Sequence, residues 1–236
     1  MEIRGECPAC RHPNQKYYFN QEKGTGFCHH CGYVGRGPSV PTPAVLSEPS
    51  RINAEYVRTC QLALFNDRVA LGYLLNDRAL KLESVKHFRL GYEASNLCYQ
   101  PAIVIPHTDL DGNVCAIKYR HLNQDFDPKY IYLRGSRPFI GNAPILLTTR
   151  FPLVIITEGE IDCISLFQLA SQIPAVSFPG MKFWKDRWLK YFERFERIYI
   201  AFDNTDRASE EAEKLAGILK DYRCYRVKTP EGIKDI

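Results

Sequence analysis

The residues with the most chemistry in them fall into three sets. Four cysteines near the start make two CxxC pairs, Cys7-Pro8-Ala9-Cys10 and Cys28-His29-His30-Cys31, with seventeen residues between the pairs. Thiolates on two such knuckles close a tetrahedral zinc site, so Cys7, Cys10, Cys28 and Cys31 are the expected ligands. His29 and His30 could replace a cysteine, but four thiolates already fill the site. Far along the chain, Val154-Ile155-Ile156-Thr157 runs into Glu158-Gly159-Glu160-Ile161-Asp162, with acids at alternate positions. Crowded carboxylates repel, and a divalent cation is the usual compensation. The competing reading is of acids at a helix N-terminus, favoured there by the macrodipole. The third set is basic: Lys118, Arg120, Lys129, Arg134 and Arg137 punctuate apolar positions in the middle of the chain. Either this is a solvated sheet face, or Lys118 and Arg120 leave one face together and hold phosphates.

These residues need scaffolds. Tyr17–Asn20 and Thr25–Phe27 have strand character around a turn, and the cysteines staple a segment too short to bury a core of its own, which reads as a zinc ribbon. Basic and aromatic side chains around it (Arg4, Arg11, Lys16, Lys23, Arg36, Tyr17, Tyr18, Phe19, His29, His30) suit either a plain staple or nucleic-acid contact. Four prolines between Gly35 and Ser50 read as a semi-stiff tether. Helical spacing follows, with helices expected over about 66–75 and 82–88, then strands over 102–106, 114–119 and 130–133, the first two joined by a turn at Asp111-Gly112. The C-terminal third alternates strand and helix. Strands are expected at 154–157, 175–177, 198–202 and 224–227, and helices after the first and third of them. A helix near 182–192 should bury Trp188 and Phe192. Three strands end in acids, at Glu158, Asp203 and, a few residues on, Asp235. In a parallel sheet those ends lie on one side, where ligands bind. Such a cluster holds Mg²⁺ through one or two direct ligands plus waters.

Bulk properties narrow the classes. A chain of 236 residues holds one large or two modest domains. The net charge of +4, from 31 basic and 27 acidic residues, permits an anionic partner without demanding one. No apolar run approaches a transmembrane length, so no membrane role is expected. The start runs directly into Cys7 without a targeting segment, and the odd total of nine cysteines shows no disulfide framework. Both features predict a cytoplasmic protein.

The stretch Val154–Asp162, read with Ile198 to Leu219, resembles the TOPRIM domain of phage-type DNA primases, the front half of bifunctional primase–helicases and Twinkle-like proteins. The N-terminal ribbon, Leu90-Gly91-Tyr92 and the Asp111-Gly112 hairpin with Lys118 and Arg120 follow the order found in that family, so the resemblance spans essentially the whole chain. It implies an α/β fold with a four-cysteine zinc ribbon (1–37), a flexible linker (38–52), a primase core with an α+β subdomain of helices and basic sheet (53–149), and a TOPRIM α/β domain (150–236). It implies catalytic roles for Glu158, Asp203 and Asp235. Magnesium (or manganese) ligation is expected among Glu158, Glu160, Asp162, Asp203, Asp206 and Asp235. Nucleotide or template binding is expected at Lys118, Arg120, Lys129 and Arg134.

The family usually has Asp-x-Asp and then Gly after the third strand of this domain. Here the run is Asp203-Asn204-Thr205-Asp206-Arg207-Ala208, with Thr205 in the place of the second acid. A hydroxyl is a far weaker Mg²⁺ ligand than a carboxylate. The resemblance thus predicts short RNA primers made on single-stranded DNA from ribonucleoside triphosphates, with one structural zinc and one or two magnesium ions. A replicative helicase is the expected partner, in trans or fused, since this sequence has no GxxxxGK[ST]. The alternative is a catalytically weakened zinc-ribbon and TOPRIM module that binds DNA; a metal-dependent nuclease is a further rival.

Overall fold

A computed structural model describes residues 2–7, 9–10, 17–20, 25–36, 52, 54–96, 99–220, 223–228 and 230. Strands β1 (Glu2–Gly5), β2 (Tyr17–Asn20), β3 (Thr25–Cys28) and β4 (Val34–Arg36) pair in sequence order as an antiparallel meander. The β2 and β3 strands agree with the sequence reading; β1 and β4, at the edges, extend it. The β3–β4 knuckle turns at Gly32, whose φ of +74° suits a residue without Cβ. There its N–H donates to the Cys28 carbonyl at 2.8 Å.

The helical segment differs from its expectation. Helix α1 covers Ala54–Asn66, and α2 (Arg68–Gly72) restarts at once and continues as a π-helical turn over Tyr73–Asp77. The single helix expected near 66–75 is therefore broken at its start. Asp67 breaks it, because its carboxylate accepts the N–H groups of Val69 (3.0 Å) and Ala70 (2.8 Å) as an N-cap. Val69, an apolar residue of this helix, is 77% exposed. Helix α3 (Leu82–His87) lies where it was expected.

An antiparallel sheet follows in the order β5 (Gly91–Glu93), β6 (Ala102–Thr108), β7 (Val114–His121), β8 (Tyr130–Tyr132). Strand β5 went unread because only three residues pair. It lies against α1 so closely that a Cβ on Gly91 would come 2.6 Å from Cys60 Cβ and 2.9 Å from its carbonyl carbon. Gly91→Ala should therefore destabilise the chain by about 1–3 kcal/mol through overpacking, read as a lower urea midpoint with an unchanged slope.

After the short α4 (Ile145–Thr148) comes the α/β unit: β9 (Leu153–Thr157), α5 (Glu160–Leu169), β10 (Ala175–Ser177), β11 (Arg197–Ala201), α6 (Asp206–Leu219) and β12 (Cys224–Arg226). Trp188 and Phe192 are buried as expected, but the segment forms 3₁₀ turns (Met181–Phe183 and Asp186–Tyr191) rather than an α-helix, with Trp188 in the second and Phe192 capping it. The sheet is parallel, in the order β10-β9-β11-β12. The chain builds outward from β9 to one side and then returns to the other. The topological switch therefore falls between β9 and β11, and ligands of open α/β sheets bind at the carboxyl ends of such a pair.

The two sheet units are packed together. Ile161 and Ile164 of α5 are buried in one cluster with Leu64, Ala70, Leu74, Val85, Ile103 and Ile105 of the preceding unit. Gln168 adds a polar tie, its side chain accepting the Lys81 N–H (2.8 Å) and donating to the Ala79 carbonyl (2.9 Å).

Candidate active site

The acids sit at the switch point. Ala201 of β11 pairs with Thr157 of β9, so Glu158 and Asp203 follow the carboxyl ends of neighbouring parallel strands. The buried Thr157 hydroxyl donates to the carbonyls of Gly159 (2.9 Å) and Val176 (3.3 Å), which fixes the turn that presents Glu158. Across the switch point, the Asp203 N–H donates to Glu158 Oε2 at 3.3 Å, and Arg226 holds the Asp203 carbonyl at 2.9 Å. Glu158 is exposed as a residue, but protein crowds its carboxyl. That burial, with the negative charge of Asp203, pushes its pKa above the usual carboxylate value. A Cβ on Gly159 would lie 2.6 Å from Asp162 Oδ2, so glycine makes room for that carboxylate over the turn. Asp206 is exposed in the first turn of α6, and Asp235 lies outside the described residues.

Thr205 has a different occupation from the acid it replaces. It is the N-cap of α6, its hydroxyl accepting the Ala208 N–H at 3.2 Å. Thr205→Ala should cost about 1 kcal/mol, a melting shift of about 2–4 °C at this chain length. Thr205→Asp, which also caps, should leave the melting temperature unchanged.

Basic side chains share one cleft with the acids. This cleft of about 510 Å³ is lined by the acids Glu158, Glu160, Asp162, Asp203 and Glu211 and by the basic residues Arg78, Lys118, Arg120, Lys129, Lys182 and Arg207. The structure thus brings Lys118, Arg120 and Lys129 together with the acids, while Arg134 is exposed beyond β8 and is not among the walls. Arg120 is 6% exposed, its guanidinium donating to the hydroxyls of Tyr73 and Tyr130. Burial pushes the Tyr130 phenol up to about 12, so it stays protonated. Sequence reasoning missed Arg78. It follows directly after the π-helical turn, and its Nε is buried with no hydrogen-bond partner. The π-turn was the available signal, since such turns gather at functional sites, but no sequence pattern announces one.

Glu160 lies behind the cleft surface, 5% exposed. Both its oxygens accept from Lys118 Nζ at 2.8 Å, and His107 Nε2 lies 3.2 Å from Oε1. Burial alone would raise this carboxyl; the Lys118 ammonium, with His107, instead holds it well below the usual carboxylate range.

Two metals were expected, and each can be tested against the donors present. The four cysteine sulfurs lie within 4.8 Å of one another, with Cys7–Cys31 at 3.7 Å and Cys10–Cys28 at 3.8 Å. A zinc–sulfur bond of about 2.3 Å implies a tetrahedral edge of about 3.8 Å, so the ribbon fits zinc. Among the described residues no other group of three metal-ligating side chains lies this close together. Magnesium needs fewer protein ligands, taking one or two carboxylates and keeping several waters. Glu158 and Asp203 supply that donor set, and a cation there would relieve the strain that raises Glu158.

Residues 155–236 match the family model described as Toprim-like. No curated protein sequence matches the chain. The fold is similar to that of the zinc-binding and RNA polymerase domains of the Aquifex aeolicus primase (20% identity, TM-score 0.60, covering 99% of this chain and 74% of that one). It is similar to the primase fragment of the bacteriophage T7 primase-helicase protein (19% identity, TM-score 0.61, covering 100% and 93%). It is also similar to the RNA polymerase domain of Mycobacterium tuberculosis primase DnaG in complex with a double-stranded DNA oligomer carrying a 6-nucleotide overhang (15% identity, TM-score 0.63, covering 77% and 72%). At the level of the fold, the resemblance read from the ribbon, the central sheet and the acidic turn holds. Among the described residues no helix is long and apolar enough to cross a membrane.

Proposed function

We propose that this chain, a Toprim-like unit joined to a basic sheet and a four-cysteine ribbon in the fold of primases, is a DNA primase that makes short RNA primers on single-stranded DNA. The observation that carries the reading is the pairing of Glu158 and Asp203 at the switch point with Arg78, Lys118, Arg120 and Lys129 across one cleft. Nucleotidyl transfer needs that division of labour: cations for the triphosphate and template phosphates, carboxylates for the divalent ion. Glu158 and Asp203 would hold Mg²⁺, which when bound offsets negative charge around the α-phosphate. The oxygen of a 3′-hydroxyl attacks that phosphorus and forms the new ester bond as the α–β phosphoanhydride bond breaks; pyrophosphate leaves and the hydroxyl proton passes to solvent. Arg120, held by two tyrosine hydroxyls, presents a pre-set guanidinium to phosphate oxygens. Arg78, with a buried Nε that lacks a partner, gains one when an anion enters.

The ribbon would hold zinc and contact the template. His29 meets Tyr18 and Phe27 edge-on at 4.7 and 4.8 Å between centroids, a small aromatic cluster suited to unstacked bases. Of the basic residues expected around it, Arg11, Lys16 and Lys23 lie outside the described residues. A replicative helicase, in trans or fused, is the partner that primer synthesis serves.

The test is de novo oligoribonucleotide synthesis on single-stranded DNA with ribonucleoside triphosphates and Mg²⁺. Labelled products of defined start sequence are expected. Tight DNA binding without product would establish the binding-module reading, which Thr205 favours, and degradation of the template would establish a nuclease.

A further inference from the structure

Glu160 belongs to the run of acids at the end of β9, yet its surroundings differ from those of Glu158. Glu158 is exposed beside the like charge of Asp203, whereas Glu160 is buried between two basic side chains from the other sheet unit. Lys118 spends two donors on the two Glu160 oxygens, and its ammonium lies over the rings of Tyr130 and Tyr132, 4.7 and 5.7 Å from Nζ to the centroids. An ammonium has three donors, so one remains for the cleft that Lys118 lines. His107 is 2% exposed and pinned from behind, its Nδ1 lying 3.1 Å from the Phe139 carbonyl oxygen. Three of the roughly four lone-pair positions of this carboxylate are engaged, so a hydrated cation would have to compete with an ammonium whose side chain is 15% exposed.

We propose that Glu160 is a positioning residue and not a metal ligand: backed by His107, it fixes the Lys118 ammonium in the cleft wall, where Lys118 contacts the phosphates of an incoming nucleoside triphosphate. The proposal deepens the primase reading and rests on the cleft being a nucleotide site. It separates two acids that sit two residues apart. Glu158 answers to the metal and Glu160 to the nucleotide.

The experiment uses the full chain with Glu160→Gln, Glu158→Ala and Lys118→Met. A Lys118→Met/Glu160→Met double variant removes both charges, so a folding defect from one unpaired buried charge does not decide the outcome. Mn²⁺ binding is measured by electron paramagnetic resonance without nucleotide, and ATP binding by titration with a fluorescent ATP analogue. Glu160→Gln and the double variant are expected to keep Mn²⁺ affinity within about twofold of wild type and to bind ATP about tenfold more weakly. Lys118→Met should show the same loss, with no further loss in the double variant, because the two residues act as one. In primer synthesis KM for ATP should rise more than kcat falls.

A loss of Mn²⁺ affinity in Glu160→Gln comparable to that in Glu158→Ala overturns the proposal, as does unchanged ATP binding. A wild-type chain that binds ATP but makes no primer overturns the primase reading and leaves this one standing. One that binds no ATP overturns both.

Discussion

Glu158→Gln should abolish primer synthesis, lowering kcat by about 10³-fold, while leaving single-stranded DNA binding near wild type. The residue sits at the switch point between β9 and β11, where its carboxylate and Asp203 form the acidic pole of the cleft. Glutamine keeps the shape and the hydrogen bond from the Asp203 N–H but removes the charge. The same substitution should act on stability in the opposite direction. Burial and the neighbouring Asp203 raise the folded-state pKa of Glu158 above its ordinary value. A carboxyl raised in this way favours folding at low pH, and the contribution is lost as pH rises through the raised value. At neutral pH and in a chelator, Glu158→Gln should therefore melt above wild type, with the gap closing as pH falls into the carboxylate range. Added Mg²⁺ should reverse the order, since it stabilises only the form that binds it. Thermal melts at two pH values, with and without Mg²⁺, check this. A variant that melts below wild type in chelator would mean that Glu158 is held by favourable contacts instead.

The second large effect is expected at the ribbon. Removing zinc, or replacing Cys28 with serine, should unfold the segment before α1 and leave the rest folded. Structural zinc contributes about 10–16 kcal/mol to small domains of this kind, far more than a four-stranded meander of three- and four-residue strands can supply. The three buried clusters of the remaining chain contain no ribbon residue, so they have no cause to melt with it. Burial raises the thiols of Cys7 and Cys31, so the metal must displace protons and its hold should weaken as pH falls. Metal analysis should give one zinc per chain in wild type and none in the variant. Proteolysis should then cut only ahead of Ala54, and template-directed initiation should drop. Retained strand signals in the metal-free chain would count against this.

The parts of this molecule written in short, local patterns were legible in the sequence. The cysteine spacing predicted a cluster whose sulfur distances fit zinc. The apolar runs ending at Glu158 and Asp203 predicted parallel strands whose ends meet. What was not legible depends on residues far apart in the chain. Strand β5 is three residues long and exists because β6 and α1 cover it. Arg78 reaches the cleft through a π-turn that no periodicity marks. The Lys118–Glu160 pair joins strand β7 to the start of helix α5, so alternation could place Lys118 on a face but could not say that a carboxylate waits there. Thr205 shows a third case: Thr-x-x-Ala before a helix can be read as a cap, but beside the acidic pattern it reads first as a missing carboxylate.

Helix α5 has a practical consequence. Its residues Ile161 and Ile164 are 4% and 1% exposed only because Leu64, Leu74, Ile103 and their neighbours cover them. A polypeptide beginning at residue 150 would keep the parallel sheet and the acids yet present those isoleucines, and Phe167, which stacks on His87 and meets Phe88 edge-on, to water. Such a fragment should self-associate on expression, and extending it back to residue 54 should restore a monodisperse species. A cut at the boundary near 150 that the resemblance implies would pass through this apolar contact, so a minimal stable piece is expected to start before it.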